Sequence, residues 1–182
     1  MSIVGEIGIF AFGGKSESDP RVLKLRSQGW VACEGQSVDQ RGPHGLPDLF
    51  AAIERSWGSV DHDNVFNLPD LRGQFLRGWD HKVGHDPDSS NREASKHGGD
   101  AGDAVGSAQP DQLKSHNHGL RGPFPADQNN GANDRETPTI SPPLGLVGDS
   151  GGGAETRPKN VYVMFCIYSG SHALPAAIKF FG

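Results

Sequence analysis

The sequence predicts a mainly β fold with one short helix and much irregular structure, an α+β arrangement around one small sheet. The chain has 26 glycines and 13 prolines in 182 residues, which favours turns over long helices. Apolar residues are concentrated before residue 80 and again at 161–168. The stretches 80–105 and 119–156 have too few large apolar side chains to form a core of their own.

Two short strands are predicted near the N-terminus. Val4, Ile7 and Ile9 are spaced as in a strand over residues 4–12, and a polar turn follows at 13–20. The next apolar run, Gly29-Trp30-Val31-Ala32-Cys33, ends in a glycine turn and predicts a second strand. These strands are expected to pair with the last apolar run of the chain.

A short helix is predicted to begin at Pro47 and to end before Gly58. Pro is favoured in the first turn of a helix and Gly just after its end. The apolar residues between them recur at helical spacing and are expected to lie in the core: Leu49, Phe50, Ile53 and Trp57.

The run 161–168 predicts a central strand, because both of its alternating faces are apolar. If it pairs with the N-terminal strands, residues 13–28 and 80–157 are excursions from one small sheet. The cysteines, Cys33 and Cys166, lie in apolar runs, so buried free thiols are expected, with a Cys33–Cys166 disulfide left open.

Charge and hydropathy exclude several classes of protein. The formal net charge of −5 indicates neither a nucleic-acid partner nor a polybasic membrane contact. No apolar run is long enough to predict membrane insertion. The N-terminus has no basic region, and Glu6 interrupts its apolar run, so we expect no signal peptide.

The stretch 65–79 alternates apolar residues with turn formers, which indicates a structural role, and it contains the block 67–73, Asn-Leu-Pro-Asp-Leu-Arg-Gly. An ion pair of Asp70 with Arg72 or with Arg77 would hold it in place.

His116 and His118 form a His-x-His pair in a segment with little to bury. In an extended chain they would point to the same face, roughly 6.6 Å apart. Two imidazoles do not complete a metal site, and no Cys or closely spaced Glu is near. Three parallel copies around a threefold axis would supply six imidazoles to an octahedral ion. The alternative is a solvated pair of histidines that binds nothing.

Several pieces of the chain, in this order, resemble the phage tail collar domain found near the C-terminus of tail fibres. They are Gly5-Glu6-Ile7, Gly29-Trp30, Cys33-Glu34-Gly35-Gln36, the helix at 47–57, the block 67–73, Phe75, Arg77-Gly78-Trp79-Asp80, Gly106-Ser107, Ser115-His116-Asn117-His118, Thr156-Arg157-Pro158 and Asn160. The resemblance covers roughly 5–79, 106–119 and 156–168.

The resemblance implies an intertwined homotrimer with His116 and His118 as ligands of Fe2+ or Zn2+ on the trimer axis. It implies a collar domain of residues 1–79 with 156–168 and an extended linker and His-x-His needle at 80–119. An exposed receptor-binding loop at 119–156 and a C-terminal extension at 169–182 complete the predicted organisation.

The predicted function is structural and adhesive, in the tail of a virion or of a phage-like injection particle. The partners would be a host cell-surface receptor, glycan or protein, and other tail or baseplate proteins. Because Met1 immediately precedes the collar, we expect a stand-alone collar protein, a fibre of a phage-derived injection machine or a fragment. The candidate receptor-binding residues are Phe124, Asn129, Asn130, Asn133, Asp134 and Arg135.

Two other functions remain open at this point. One is a stand-alone bacterial lectin-like collar protein, which would use the same fold. The other is a cupin-like metalloenzyme, which also uses His-x-His but needs a Glu a few residues later. No glutamate follows His118 before Glu136, which disfavours the enzyme.

Overall fold

Strands and irregular connections dominate the computed structural model, which describes residues 2–13, 16, 18–41, 44–60, 64–112 and 158–170. In chain order the elements are β1 (Ile7–Phe10), α1 (Pro20–Ser27), β2 (Trp30–Ala32), β3 (Ser37–Asp39), α2 (Pro47–Ile53), β4 (Val65–Asn67), β5 (Glu93–Ala94), β6 (Ser107–Ala108) and β7 (Met164–Tyr168). The predicted mainly β class is confirmed, with two short α-helices where one was predicted. Neither helix is long and apolar enough to cross a bilayer, and the described residues contain no other candidate.

The chain divides into two compact units. The first comprises Met1–Gln109 and Val161–Gly182, and it contains every described helix and strand. The second is Pro110–Asn160, most of which lies outside the described residues.

A three-stranded antiparallel sheet joins the two ends of the first unit in the order β1-β7-β2. Ile167 of β7 lies opposite Ile7 on one side and Val31 on the other. The prediction that the C-terminal strand pairs with the N-terminal strands is therefore confirmed. Two further antiparallel pairs, β3 with β4 and β5 with β6, lie outside this sheet.

The central strand is shorter than predicted. It begins at Met164, whereas Val161 and Tyr162 are 84% and 94% exposed. The apolar pattern of 161–168 indicated burial on both faces, but only the end of the run lies between β1 and β2. Residues 161–163 thus leave apolar side chains in solvent.

The helices depend on local capping signals. The Asp19 side chain accepts a hydrogen bond from the Arg21 amide at 2.9 Å, and Pro20 opens α1. The predicted second helix, α2, begins at Pro47 as expected but ends at Ile53. Glu54 then takes a φ of +46°, which leaves the helical region.

The core lies between the sheet, α2 and the β3-β4 pair. Its fully buried side chains come from each of these elements: Val31, Val38, Leu49, Phe66, Leu68 and Ile167. Phe50, Ile53 and Trp57 are partly buried against it, so the predicted core positions on and just after the helix are confirmed. Burial of such side chains contributes most of the folding free energy.

The two cysteines are free and buried, with no disulfide between them. Cys33 shares its face of the sheet with Val31, whereas Cys166 pairs with Ala32 and so lies on the opposite face. Burial raises the pKa of each thiol to about 12. These thiols are therefore structural and unreactive in the folded protein.

Candidate functional site

Asp70 and Arg72 form a two-pronged ion pair beside the core. The Arg72 Nε donates to Asp70 Oδ1 at 2.8 Å and Nη2 donates to Oδ2 at 2.7 Å. Nη2 also donates to the Glu34 carbonyl at 3.0 Å, across a β-bridge between Glu34 and Asp70. The hydrogen bond from Arg72 is the largest cause of the lowered pKa of Asp70. The predicted Asp70–Arg72 pair is confirmed, and Arg77 pairs with a different carboxylate.

Residues 96–106 dock on the chain that follows α2. Ser59 donates its amide to the His97 carbonyl and the Asp100 amide donates to the Ser56 carbonyl, each at 3.0 Å. Gly106 approaches Ser56 so closely that a Cβ would lie 2.4 Å from its carbonyl oxygen. Glycine is therefore required there, at a φ of +95°. Lys96 adds a hydrogen bond from its ammonium group to the Gly35 carbonyl.

Carboxylate side chains, rather than an apolar core, stabilise the backbone of residues 79–109. Asp80 accepts the amides of Gly84 and Asp86, both at 2.8 Å. Asp103 accepts the amides of His81 at 3.2 Å and Lys82 at 2.7 Å. His81 and Lys82 have φ values of +49° and +65°, which non-glycine residues seldom adopt. Hydrogen bonds to these carboxylates thus stabilise a backbone conformation that burial of apolar side chains does not stabilise.

Arg92 joins the ends of this segment. Its guanidinium donates to the Ser107 hydroxyl at 2.8 Å, the Ser107 carbonyl at 3.0 Å and the Gln109 side-chain oxygen at 2.6 Å. It also lies 3.3 Å from a carboxylate oxygen of the buried Asp86. The second cation on Asp86 is Arg77, which is mostly exposed and 3.6 Å away.

An apolar strip follows the 67–73 block. We define the strip as Phe75, Leu76, Trp79, Val83 and Val105, which are all more than half exposed. The Trp79 ring stacks on His81 with centroids 4.1 Å apart, and its indole N–H donates to the Asp103 carbonyl at 3.1 Å. Trp79 is thus held in place while 53% exposed. Apolar side chains held outward in this way are typical of protein interaction surfaces.

The free side of β1 forms a second apolar edge. Among the described strands β1 pairs only with β7, and no described strand pairs with its other side. Ile9 on this strand is 66% exposed, and Ile3, Ile7 and Phe12 are also exposed. Natural proteins usually cover or charge such an edge, because an open one pairs readily with another chain.

The site residues predicted from the His-x-His pair and the receptor loop are not among the described residues. This holds for His116 and His118 and for the six candidate receptor-binding residues: Phe124, Asn129, Asn130, Asn133, Asp134 and Arg135. Within the described part of the chain, no group of three or more His, Cys, Asp or Glu side chains could hold a metal. The metal site and the receptor site therefore remain predictions.

The exposure of the apolar strip was not predicted from the sequence. Phe75, Leu76 and Trp79 alternate with glycine and arginine, a pattern that indicated a compact structural block. One signal was available: Gly73 precedes Phe75 and Leu76, and Gly78 separates them from Trp79.

Comparison with known proteins identifies the family. The family model of the phage tail collar domain matches residues 5–76, which include β1 to β4 and the Asp70–Arg72 pair. Protein RhiB of Rhizobium leguminosarum bv. viciae is 34% identical over 155 residues, which cover 84% of this chain and 69% of that protein. The collar family is a structural one, and its domain indicates a location in a tail. The chain belongs to the phage tail collar domain family.

Proposed function

We propose that this protein is a homotrimeric, tail-fibre-like structural protein that binds a host cell-surface receptor. The single observation that carries the proposal is the collar domain at residues 5–76. The apolar strip and the open β1 edge support the trimer, because exposed apolar surface of this kind is costly in a monomer. The protein would act in the tail of a virion or of a phage-like injection particle, next to other tail or baseplate proteins.

An axial metal ion is the second part of the proposal. His116 and His118 from three chains would present six imidazoles, a set that suits an octahedral transition metal such as Fe2+. Zn2+ is the other candidate, and it is usually satisfied by four ligands. The support is the His-x-His spacing together with membership of the collar family.

Elemental analysis of the purified protein tests the metal. We expect one transition metal per three chains, and loss of the metal when His116 and His118 are replaced by Ala. A matched control replaces the exposed His81 and His97, which should leave the metal content unchanged. A ratio of one metal per chain, or metal retained in the His116 and His118 variant, would contradict the axial site.

The receptor would contact the loop 119–156. Its candidate contacts are mostly polar, which suits hydrogen bonding to a glycan or to a protein surface: Phe124, Asn129, Asn130, Asn133, Asp134 and Arg135. We expect Ala at Asn129, Asn130 and Asn133 together to weaken binding to host cells by about a hundredfold, since each lost hydrogen bond costs about 1 kcal/mol. Ala at the exposed Lys24 of α1 is the control. Equal binding by both variants would show that the receptor contacts another surface.

A stand-alone bacterial collar protein with lectin-like binding is the second candidate. The observation that favours it is the relative in a bacterium, protein RhiB of Rhizobium leguminosarum bv. viciae. Detection of the protein in sedimented tail particles would support the first candidate. Its recovery from cells that contain no such particles would support the second.

A further inference from the structure

Residues 75–79 form no backbone hydrogen bond with any other described residue. The preceding amide, of Gln74, donates to Leu71, and the next backbone bond joins Val83 to Asp80. Between them every amide and carbonyl is unpaired in the described part of the chain, and the side chains of Phe75 and Leu76 are 63% and 54% exposed. A segment whose backbone groups are free to bond and whose apolar side chains are exposed can add to the edge of a sheet.

The β1 edge offers the complementary groups. The Tyr168 amide donates to the Glu6 carbonyl, and β1 continues in antiparallel register with Gly8 opposite Cys166. Along an antiparallel strand, the amide and carbonyl of one residue bond to the neighbouring strand, and those of the next residue point to the opposite side. Gly8 and Phe10 therefore bond to β7, whereas the amides and carbonyls of Ile7 and Ile9 point to the open side.

We propose that residues 75–79 of one copy of this chain add as a strand to the β1 edge of a second copy. This inference rests on the proposed homotrimer and specifies how its chains join. In the part of the chain that the structure describes, each copy has one strand edge and one separate segment without backbone partners, so the contact is head-to-tail. Three copies would close a ring in which every β1 edge is paired, which removes the exposed edges.

The exposed apolar area favours a second copy as the occupant. The described residues include 14 exposed large apolar side chains, most of them on or near the apolar strip, β1 and residues 161–163. In a closed ring each copy buries two surfaces, and these exposed side chains supply apolar area toward the roughly 800 Å² that each partner contributes to a stable interface. The two surfaces also match chemically, because the exposed Ile7 and Ile9 would contact Phe75, Leu76 or Trp79 across the pair.

Disulfide trapping tests the pairing in the full-length protein. Ile9→Cys is combined in turn with Phe75→Cys, Leu76→Cys and Arg77→Cys, and each variant is oxidised and separated on a denaturing gel. The native Cys33 and Cys166 are buried and do not compete. We expect at least one combination to give covalent dimers and trimers, with no species beyond the trimer. Ile9→Cys with Lys24→Cys, on the exposed face of α1, is the control.

The reduced variants are sized by light scattering, so that failure of the inference is distinguished from failure of the trimer. A trimer without cross-links above the control would contradict the strand pairing and leave the trimer standing. A monomer would contradict both proposals. A disulfide within one chain would identify a segment of the same chain as the partner, and a ladder beyond three chains would contradict the closed ring.

A backbone substitution gives an independent readout. Ile9→Pro removes the outward amide but leaves the bonds of Gly8 and Phe10 to β7, which an edge strand tolerates. We expect the trimer dissociation constant to rise on the order of tenfold, with little change for Ile9→Val. Unchanged association of the Pro variant, with a native circular dichroism spectrum, would contradict the proposal.

Discussion

Asp70 shows how a single side chain holds the collar fold at a point where the backbone is irregular. Its carboxylate receives both prongs of Arg72, and Arg72 also reaches the Glu34 carbonyl 38 residues earlier in the chain. Sequence reasoning predicted this ion pair because both residues lie in one short block. It could not choose between Arg72 and Arg77, since that choice depends on where Asp86 lies.

Asp70→Asn should destabilise the protein by about 1 kcal/mol at pH 7, a value kept small because Arg72 is largely exposed. The pKa of Asp70 is lowered in the folded state, so its stabilising effect is present above the unfolded pKa of about 3.9. The effect is lost as the pH falls through the lower folded pKa. Urea unfolding at pH 7 and near pH 2 should therefore show a difference from wild type that shrinks with acid. A constant difference would contradict the ionic role.

Cys33 and Cys166 should not react with a thiol reagent in the folded protein at pH 8. Burial raises the pKa of each thiol to about 12, so little thiolate is present, and solvent does not reach the sulfur. Titration with Ellman's reagent should find two thiols per chain after unfolding in guanidinium and almost none before. Rapid reaction of either thiol in the native protein would show that the sheet opens there.

At the scale of elements, the apolar periodicity predicted the sheet and α2 but not α1. Helix α1 buries only Leu25 and Arg26, so its apolar pattern is weak, and its signal is the Asp19-Pro20 cap. The strand at 161–168 was predicted too long, because a pattern that is apolar on both faces does not show where pairing begins. Order in 79–109 was not predicted, since it depends on Asp80, Asp103 and Arg92, which a composition argument treats as solvated.

Arg92→Ala should destabilise the segment 79–109 by about 2–3 kcal/mol. The substitution removes the closest cation from the buried Asp86 and a hydrogen-bond donor from the Ser107 carbonyl. Arg77→Ala is the matched control and should cost less than about 1 kcal/mol, since Arg77 is exposed and farther from Asp86. Hydrogen exchange should accelerate in 79–109 for the Arg92 variant, with the β1-β7-β2 sheet still protected. Equal effects of the two variants would contradict the clamp role of Arg92.

At the scale of the whole molecule, the collar fold follows from the sequence, but the assembly does not. The motifs at Gly5-Glu6-Ile7, 29–36 and 67–73 predicted the family that the comparison identifies. The exposed strip was missed because a pattern of apolar residues does not show which of them the fold leaves exposed. His116 and His118 lie outside the described residues, so the axial metal depends on spacing and family membership.

Chelation should lower the melting temperature of the wild-type protein if His116 and His118 bind a shared metal, because metal binding contributes folding free energy. The variant with Ala at both positions should melt at the temperature of the chelated wild type and should not respond to chelator. Ala at His97, which is exposed, should behave as wild type. Melting of the wild type that is indifferent to chelator would count against the metal.

The mass of the native protein at micromolar concentration tests the central claim, the homotrimer, most directly. Sedimentation or native mass spectrometry should find three times the 19.4 kDa of one chain, with no folded monomer. A stable particle of 19.4 kDa with a cooperative unfolding transition would contradict the account.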